Sequence, residues 1–172
     1  MIAPEVSCGL EPLSRHHDRA AFRCGVEALD RYLHTLASQD MRRKANAVFV
    51  LVPEDAPYRI AGYFTLCAYS LAPGSIPAEA QKQMPRYPMI SATLIGRFAI
   101  SSDMQGQGWG SRLMAKALQK AYENADVVGS SMVVVDAIDD RAVRFYQAHG
   151  FIKLPESMRL VLPMSTIRQL LE

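Results

Sequence analysis

The sequence predicts a mixed α/β domain, and three observations predict it. Short apolar runs rich in β-branched residues read as buried strands, and amphipathic stretches at helical spacing alternate with them. A glycine-rich turn, QGQGWG at Gln105–Gly110, joins one such run to one such stretch. A chain of 172 residues is long enough to bury its own core, so a single domain spanning 1–172 is expected.

From Phe22 to Lys44, apolar residues at Val26, Leu29, Leu33, Leu36, Ala37 and Met41 keep to one helical face. Ala47–Val52 is β-branched and apolar, a buried strand. The turn PEDAPY leads to RIAGYFTLCAYSL, a second strand that makes a hairpin with the first. Between Ala72 and Met89, Pro73, Pro77, Pro85 and Pro88 exclude long regular structure and leave room for one short helix, AEAQKQM. A connection of this length is more often functional than idle. SATLIGRFAIS is the third strand, and after the glycines Leu113, Met114, Ala117, Leu118, Ala121 and Tyr122 form a helical stripe. SMVVVDA is a buried strand. Asp139 or Asp140 caps the helix DRAVRFYQAH, which Gly150 ends in the left-handed conformation. FIKL and MRLVLPM are closing strands, and Thr166 with Gln169 resembles a capping box for a last helix, TIRQLLE.

Composition narrows the function classes. Hydrophobic residues make up 49% and charged ones 21%, and the apolar runs are strand-sized, so nothing is expected to span a bilayer. The N-terminus has no basic start followed by an apolar run, so no secretory signal is expected. Cys8, Cys24 and Cys67 form neither an even framework nor a CxxC pair, which fits a reducing cytoplasm; no metal site is expected. Nineteen Lys and Arg against seventeen Asp and Glu leave a net charge of +2, which does not announce a nucleic-acid binder. Local clusters remain, as at Arg42, Arg43 and Lys44.

A glycine turn between a strand and a helix gathers unpaired backbone N–H groups at the positive end of the helix dipole, a setting for phosphate. The glycines let a ligand approach main chain without meeting a Cβ. A P-loop would need GxxxxGK[ST], and no lysine follows Gly110; a dinucleotide site would want GxGxxG, and the spacing here is GxGxG. A purely structural turn stays open at this point.

Gln105–Gly110 has the form [QR]xxGxG, and AVRFYQAHGF follows after a helix and a strand. Together, in this order, they resemble the pyrophosphate loop and the C-terminal motif of the GNAT N-acetyltransferases. The resemblance implies a GNAT fold, a mixed central sheet flanked by helices with strands splayed at the acetyl-CoA site. It implies cofactor contacts at Phe98, Ala99 and Ile100 through main-chain atoms, and at Gln105, Gly106, Gln107, Gly108, Trp109, Gly110, Ser111 and Ala142; for Ser111 plain occupancy of the helix start, and for Trp109 packing against the surface, are the other readings. A backbone N–H at or beside Ile100 would steady the oxyanion. Asp139 stands where many family members carry an Asn on the pantetheine arm, and a helix cap is its other reading. Tyr146 matches the family's general acid, with core packing as the alternative. No glutamate or histidine announces itself as a base: His16, His17 and His34 lie early in the chain, and His149 falls at a helix end. An α-amine, with a pKa of about 8, needs little help in losing its proton, so the missing base leans towards an α-amino acceptor.

The series FRCGVEALDRYLHTLASQD, AVFVLV, IAGYFTL, LIGRFAIS, QGQGWG and VVVDAIDDRAVRFYQAHGF resembles one GNAT branch in particular, the acetyltransferase toxins of bacterial toxin–antitoxin pairs. That resemblance implies acetylation of the α-amine of aminoacyl-tRNA, a homodimer and a ribbon–helix–helix antitoxin as partner. Arg42, Arg43, Lys44, Arg86 and Arg97 are the candidate tRNA contacts; helix-end cations and an internal ion pair for Arg97 are the plainer readings. Two other functions stay open: an acetyltransferase for a small amine or a peptide N-terminus, and a non-catalytic acyl-CoA-binding module.

Overall fold

The computed structural model describes residues 6–83 and 86–172. The first five residues, on which part of the N-terminal reading rests, and Met84 and Pro85 in the proline-rich connection lie outside the described residues. Seven strands, β1 (Cys8–Pro12), β2 (Ala47–Pro53), β3 (Gly62–Leu71), β4 (Ile90–Ile100), β5 (Met132–Asp136), β6 (Ile152–Lys153) and β7 (Arg159–Pro163), form a sheet in the order β1-β2-β3-β4-β5-β7-β6. Its ladders are mixed: β1 pairs antiparallel with β2, β4 runs parallel to β5, and β7 is antiparallel to both β5 and β6. The helices are α1 (Glu27–Arg31), α2 (Ala37–Arg42), α3 (Ala78–Gln81), α4 (Trp109–Asn124), α5 (Asp140–Ala148) and α6 (Met164–Leu171). This is the α/β architecture expected of a GNAT fold. Among the described residues no helix is long and apolar enough to cross a membrane.

The chain divides into two compact units. The first holds the residues up to Thr65 together with Arg97–Met114. Its core gathers Phe22, Tyr32, Leu33, Val48, Val50, Tyr63 and Ala99. The rings of Phe22 and Tyr63 meet edge-on at 5.6 Å, and the Tyr63 hydroxyl donates to the Leu29 carbonyl at 2.7 Å, tying α1 to β3. The second unit holds Leu66–Gly96 and Ala115–Glu172, around Leu71, Ile76, Ile90, Met132, Val134, Leu154 and Val161.

Several boundaries depart from the expected ones. The first helix starts at Glu27 rather than Phe22, because Gly25 takes a φ of +92° and the Asp30 carboxylate draws in the Cys24 N–H at 2.9 Å. It then passes through a π-helical turn at Tyr32–Leu36 before α2. Its end is made by Lys44, at a φ of 60°. The expected capping box is corrected: α6 begins at Met164, straight off β7, so Thr166 lies inside the helix and its hydroxyl meets Gln83 Oε1 at 3.3 Å instead. Strand β1 was not expected at all, since CGLEP has no strand-like pattern and is ordered by its register on β2. Gly150 does end α5 in the left-handed region, at a φ of +94°.

Gly62 sits at a close backbone approach. A Cβ there would stand 2.9 Å from the Ala99 carbonyl oxygen and 2.9 Å from Ile100 Cδ1. The carbonyl belongs to a strand and cannot swing aside. Gly62→Ala is therefore expected to lower stability by about 1–3 kcal/mol, read as a fall in Tm in a thermal melt.

Candidate active site

Strand β4 delivers the glycine loop. A short 3₁₀ turn, Ser102–Met104, comes after it, and the side-chain amide of Gln105 then donates to two carbonyls, Cys24 and Ile100, at 2.8 Å each. Gln105 thus braces the loop against the end of β4. Gly106 and Gly108 have φ of +75° and +86°, a region that costs any residue with a Cβ, and the space beside both is open. Residues 105–108 are exposed, and α4 opens at Trp109 with no acid in its first turn. Open backbone donors at a helix start that carries no acid can hold an anion. Trp109 faces inward and is buried, with the Arg112 guanidinium 4.7 Å from its ring, while Ser111 is exposed in the first turn.

Upstream of the loop, the parallel ladder between β4 and β5 ends with Ile95 opposite Val135, whereas β4 continues to Ile100. Ala99 and Ile100 are buried and Phe98 is half-buried.

The C-terminal motif lies on α5. Asp139 is the N-cap: its carboxylate accepts from the Ala142 N–H at 2.8 Å, the plainer of its two readings and one that occupies Ala142 as well. Tyr146 is 8% exposed, its ring against Phe145 at 5.5 Å and Phe151 at 5.6 Å, and its hydroxyl takes no hydrogen bond among the described residues. Burial, and secondarily the charge of Asp136, push its phenol up to about 12. Such a phenol stays protonated at neutral pH and keeps a proton to give.

Sequence reasoning passed over Asp136 and Arg159. Asp136 is the last residue of β5 and the register partner of Arg159, whose Nε donates to Oδ1 at 2.7 Å and Nη2 to Oδ2 at 2.9 Å. Arg159 Nη1 also donates to the Tyr69 hydroxyl at 2.7 Å. The available signal was an acid closing an otherwise apolar strand.

The candidate cations are dispersed. Arg42, Arg43 and Lys44 are exposed at the end of α2. Arg86 lines a cavity of about 620 Å³ with Lys82, Tyr87 and Gln81. Arg97 finds a ring rather than a carboxylate: its guanidinium lies 3.6 Å from the centroid of Tyr32, whose hydroxyl donates to Asp40 at 2.7 Å.

One group of described residues has metal-ligand composition, Glu11, His16 and His17. His17, with a fully buried side chain, accepts the Ser14 N–H at Nδ1 (2.9 Å) and faces Glu11 with Nε2. To ligate through Nε2 it would have to carry its proton on Nδ1, against that N–H donor, the reverse of the usual arrangement around a metal-bound histidine. The trio reads as a hydrogen-bonded cluster.

The model of the acetyltransferase (GNAT) domain matches residues 48–153, and the chain belongs to that family, whose acetyl donor is acetyl-CoA. Among its relatives is a probable toxin TacT of Sinorhizobium fredii (strain NBRC 101917 / NGR234), 28% identical over 171 residues and covering 94% of both chains. Another is a tRNA-acetylating toxin of Mycobacterium tuberculosis (strain ATCC 25618 / H37Rv), 28% identical over 160 residues, covering 92% of this chain and 93% of that one. Among solved structures, AtaT complexed with acetyl-methionyl-tRNAfMet superposes with a TM-score of 0.87 at 30% identity, covering 96% of this chain and all of the other. AtaTR bound with AcCoA gives 0.83 at 30% identity, covering 96% and 98%.

The bond from His17, the largest influence, holds the Glu11 carboxyl below the usual carboxylate range. A depressed folded pKa contributes stability above the unfolded value, about 4.3, and loses it as pH falls through the folded one. The Tm difference between the parent protein and Glu11→Gln should therefore be largest near neutral pH and close below about pH 4, as measured by melts across that range.

Proposed function

We propose that this chain is an acetyl-CoA-dependent N-acetyltransferase toxin that acetylates the α-amine of the amino acid on charged tRNA, withdrawing it from translation. The observation that carries the reading is a match running nearly end to end, 92–94% of the chain, to one relative named a tRNA-acetylating toxin and another named a probable toxin. The solved AtaT complex holds an acetylated aminoacyl-tRNA, which supports the same acceptor. The whole chain, 1–172, acts as one acetyltransferase domain in this reading, in the cytoplasm where charged tRNA is found.

Each residue then has a role. Backbone N–H groups of Gly106, Gln107, Gly108, Trp109 and Gly110 receive the pyrophosphate, with the Ser111 hydroxyl beside them and Gln105 fixing the loop. Main-chain groups of Phe98, Ala99 and Ile100 hold the pantetheine arm, and an N–H there meets the oxyanion. Tyr146 gives its proton to the departing thiolate; Asp139 and Ala142 serve by starting α5 squarely. Arg42, Arg43, Lys44 and Arg86 are the phosphate contacts. Arg97, committed to Tyr32, acts as a wall of the first unit. AtaT is solved bound to the C-terminus of the antitoxin AtaR and as an AtaT–AtaR complex on DNA, which supports an antitoxin partner here; that the antitoxin is of ribbon–helix–helix type and that the chain is a homodimer rest on the family resemblance alone.

Tyr146→Phe is expected to cut turnover by roughly a hundredfold or more while leaving acetyl-CoA affinity within a few fold; near-normal turnover would sink the acid assignment. Gly108→Glu should abolish acetyl-CoA binding in calorimetry, through bulk, backbone strain and like charge. The acceptor is tested by incubating the protein with labelled acetyl-CoA and total charged tRNA. Acid-precipitable label that disappears on deacylation is the expected result. Label on a polyamine or a peptide, and none on tRNA, would move the acceptor to that class.

A further inference from the structure

We infer that the cavity at the carboxyl end of β5 is the acceptor site, and that Asp136 there takes a hydrogen bond from the attacking amine while Arg159 holds its carboxylate in position. The inference rests on the N-acetyltransferase reading and not on which amine is used.

Position is the first argument. Asp136 comes after Val135, the last residue of β5 paired with β4, so it stands where the parallel ladder gives out. A cavity of about 590 Å³ opens there, with Leu71, Leu154 and Met158 as apolar walls and Ser75, Asp136 and Arg159 as polar ones. The apolar walls suit the body of an acceptor, and the carboxylate suits its amine. Geometry is the second. Arg159 grips both carboxylate oxygens from one side, and its third nitrogen is anchored on Tyr69. Each oxygen keeps a further lone pair, and about half of the Asp136 side chain is exposed. The charge of Asp136 also reaches Tyr146, the proposed acid. Among the described residues, Arg159 from β7 bonds Asp136, Tyr69 from β3 bonds Arg159, and Tyr146 from α5 feels the charge of Asp136.

The pairing answers a conflict. An unopposed carboxylate would bind the acceptor as an ammonium ion, and an ammonium ion cannot attack. Arg159 cancels much of that field and leaves the acceptor lone pair in place. In the reaction the N–C bond forms as the C–S bond breaks. Tyr146 protonates the sulfur and regains, through solvent, the proton that nitrogen loses.

The test is kcat and acceptor KM against pH for the parent, Asp136→Asn, Arg159→Met and the double variant, with aminoacyl-tRNA and, in parallel, spermidine and a short peptide amide. The acid limb of kcat reports the amine in the complex. Asp136→Asn should raise acceptor KM roughly ten- to hundredfold, through loss of a bond to a charged group. It should also move the limb down by about one pH unit, since the charge that favours the ammonium is gone. Arg159→Met should move it up by about as much. The double variant, which leaves no unpaired charge behind, should keep the raised KM of Asp136→Asn while its limb returns towards that of the parent. Acetyl-CoA affinity stays unchanged throughout. Limbs that do not move, or that move together in both single variants, overturn the inference and leave the pair a structural one. Parent activity on spermidine or peptide but not on charged tRNA refutes the tRNA reading alone, and the opposed shifts then test the anchor on that amine.

Discussion

The end of the parallel ladder between β4 and β5 is the constraint on which the site depends. Parallel neighbours cannot be joined by a tight turn, so the chain must cross over, and α4 is that crossover. Both strands point the same way along that ladder. After β4 comes the glycine loop; after β5 comes the capped helix carrying Tyr146, with Asp136 at the strand's last position. With pairing stopped at Ile95 and Val135, the rest of β4 is free of that ladder.

Within each unit the charged side chains are given partners. Arg97 is spent on Tyr32, and Tyr32 on Asp40, which Asn46 also contacts at 3.0 Å. Arg159 is divided between Asp136 and Tyr69. Burial raises the Tyr32 and Tyr146 phenols alike, to about 12, but with different consequences: the first is tied to a carboxylate, the second has its hydroxyl unclaimed among the described residues. A buried phenol whose hydrogen bond is already made is a structural group. One whose hydrogen bond is not made is available for chemistry.

The glycine loop, its helix, the strands before and after it and the cap at Asp139 were legible because each is written locally. Positive φ needs glycine, a helix start needs a capping oxygen, and a buried strand needs a run of valines. Tyr146 and the family of the chain emerged from the order of those local signals. β1, the π-helical turn and the start of α6 were not legible, because each is set by what it packs on rather than by its own residues. CGLEP is a strand only because β2 supplies the ladder.

The sequence by itself determined most of the succession of elements and the backbone of the glycine loop, since backbone conformation and capping are decided within a few residues of one another. Only the tertiary structure decided which charges are neutralised and which remain available. Asp136 and Arg159 are separated by 23 residues in the chain, and no local pattern links them. Their meeting depends on the antiparallel register of β5 on β7, a long-range pairing that the sheet alone specifies.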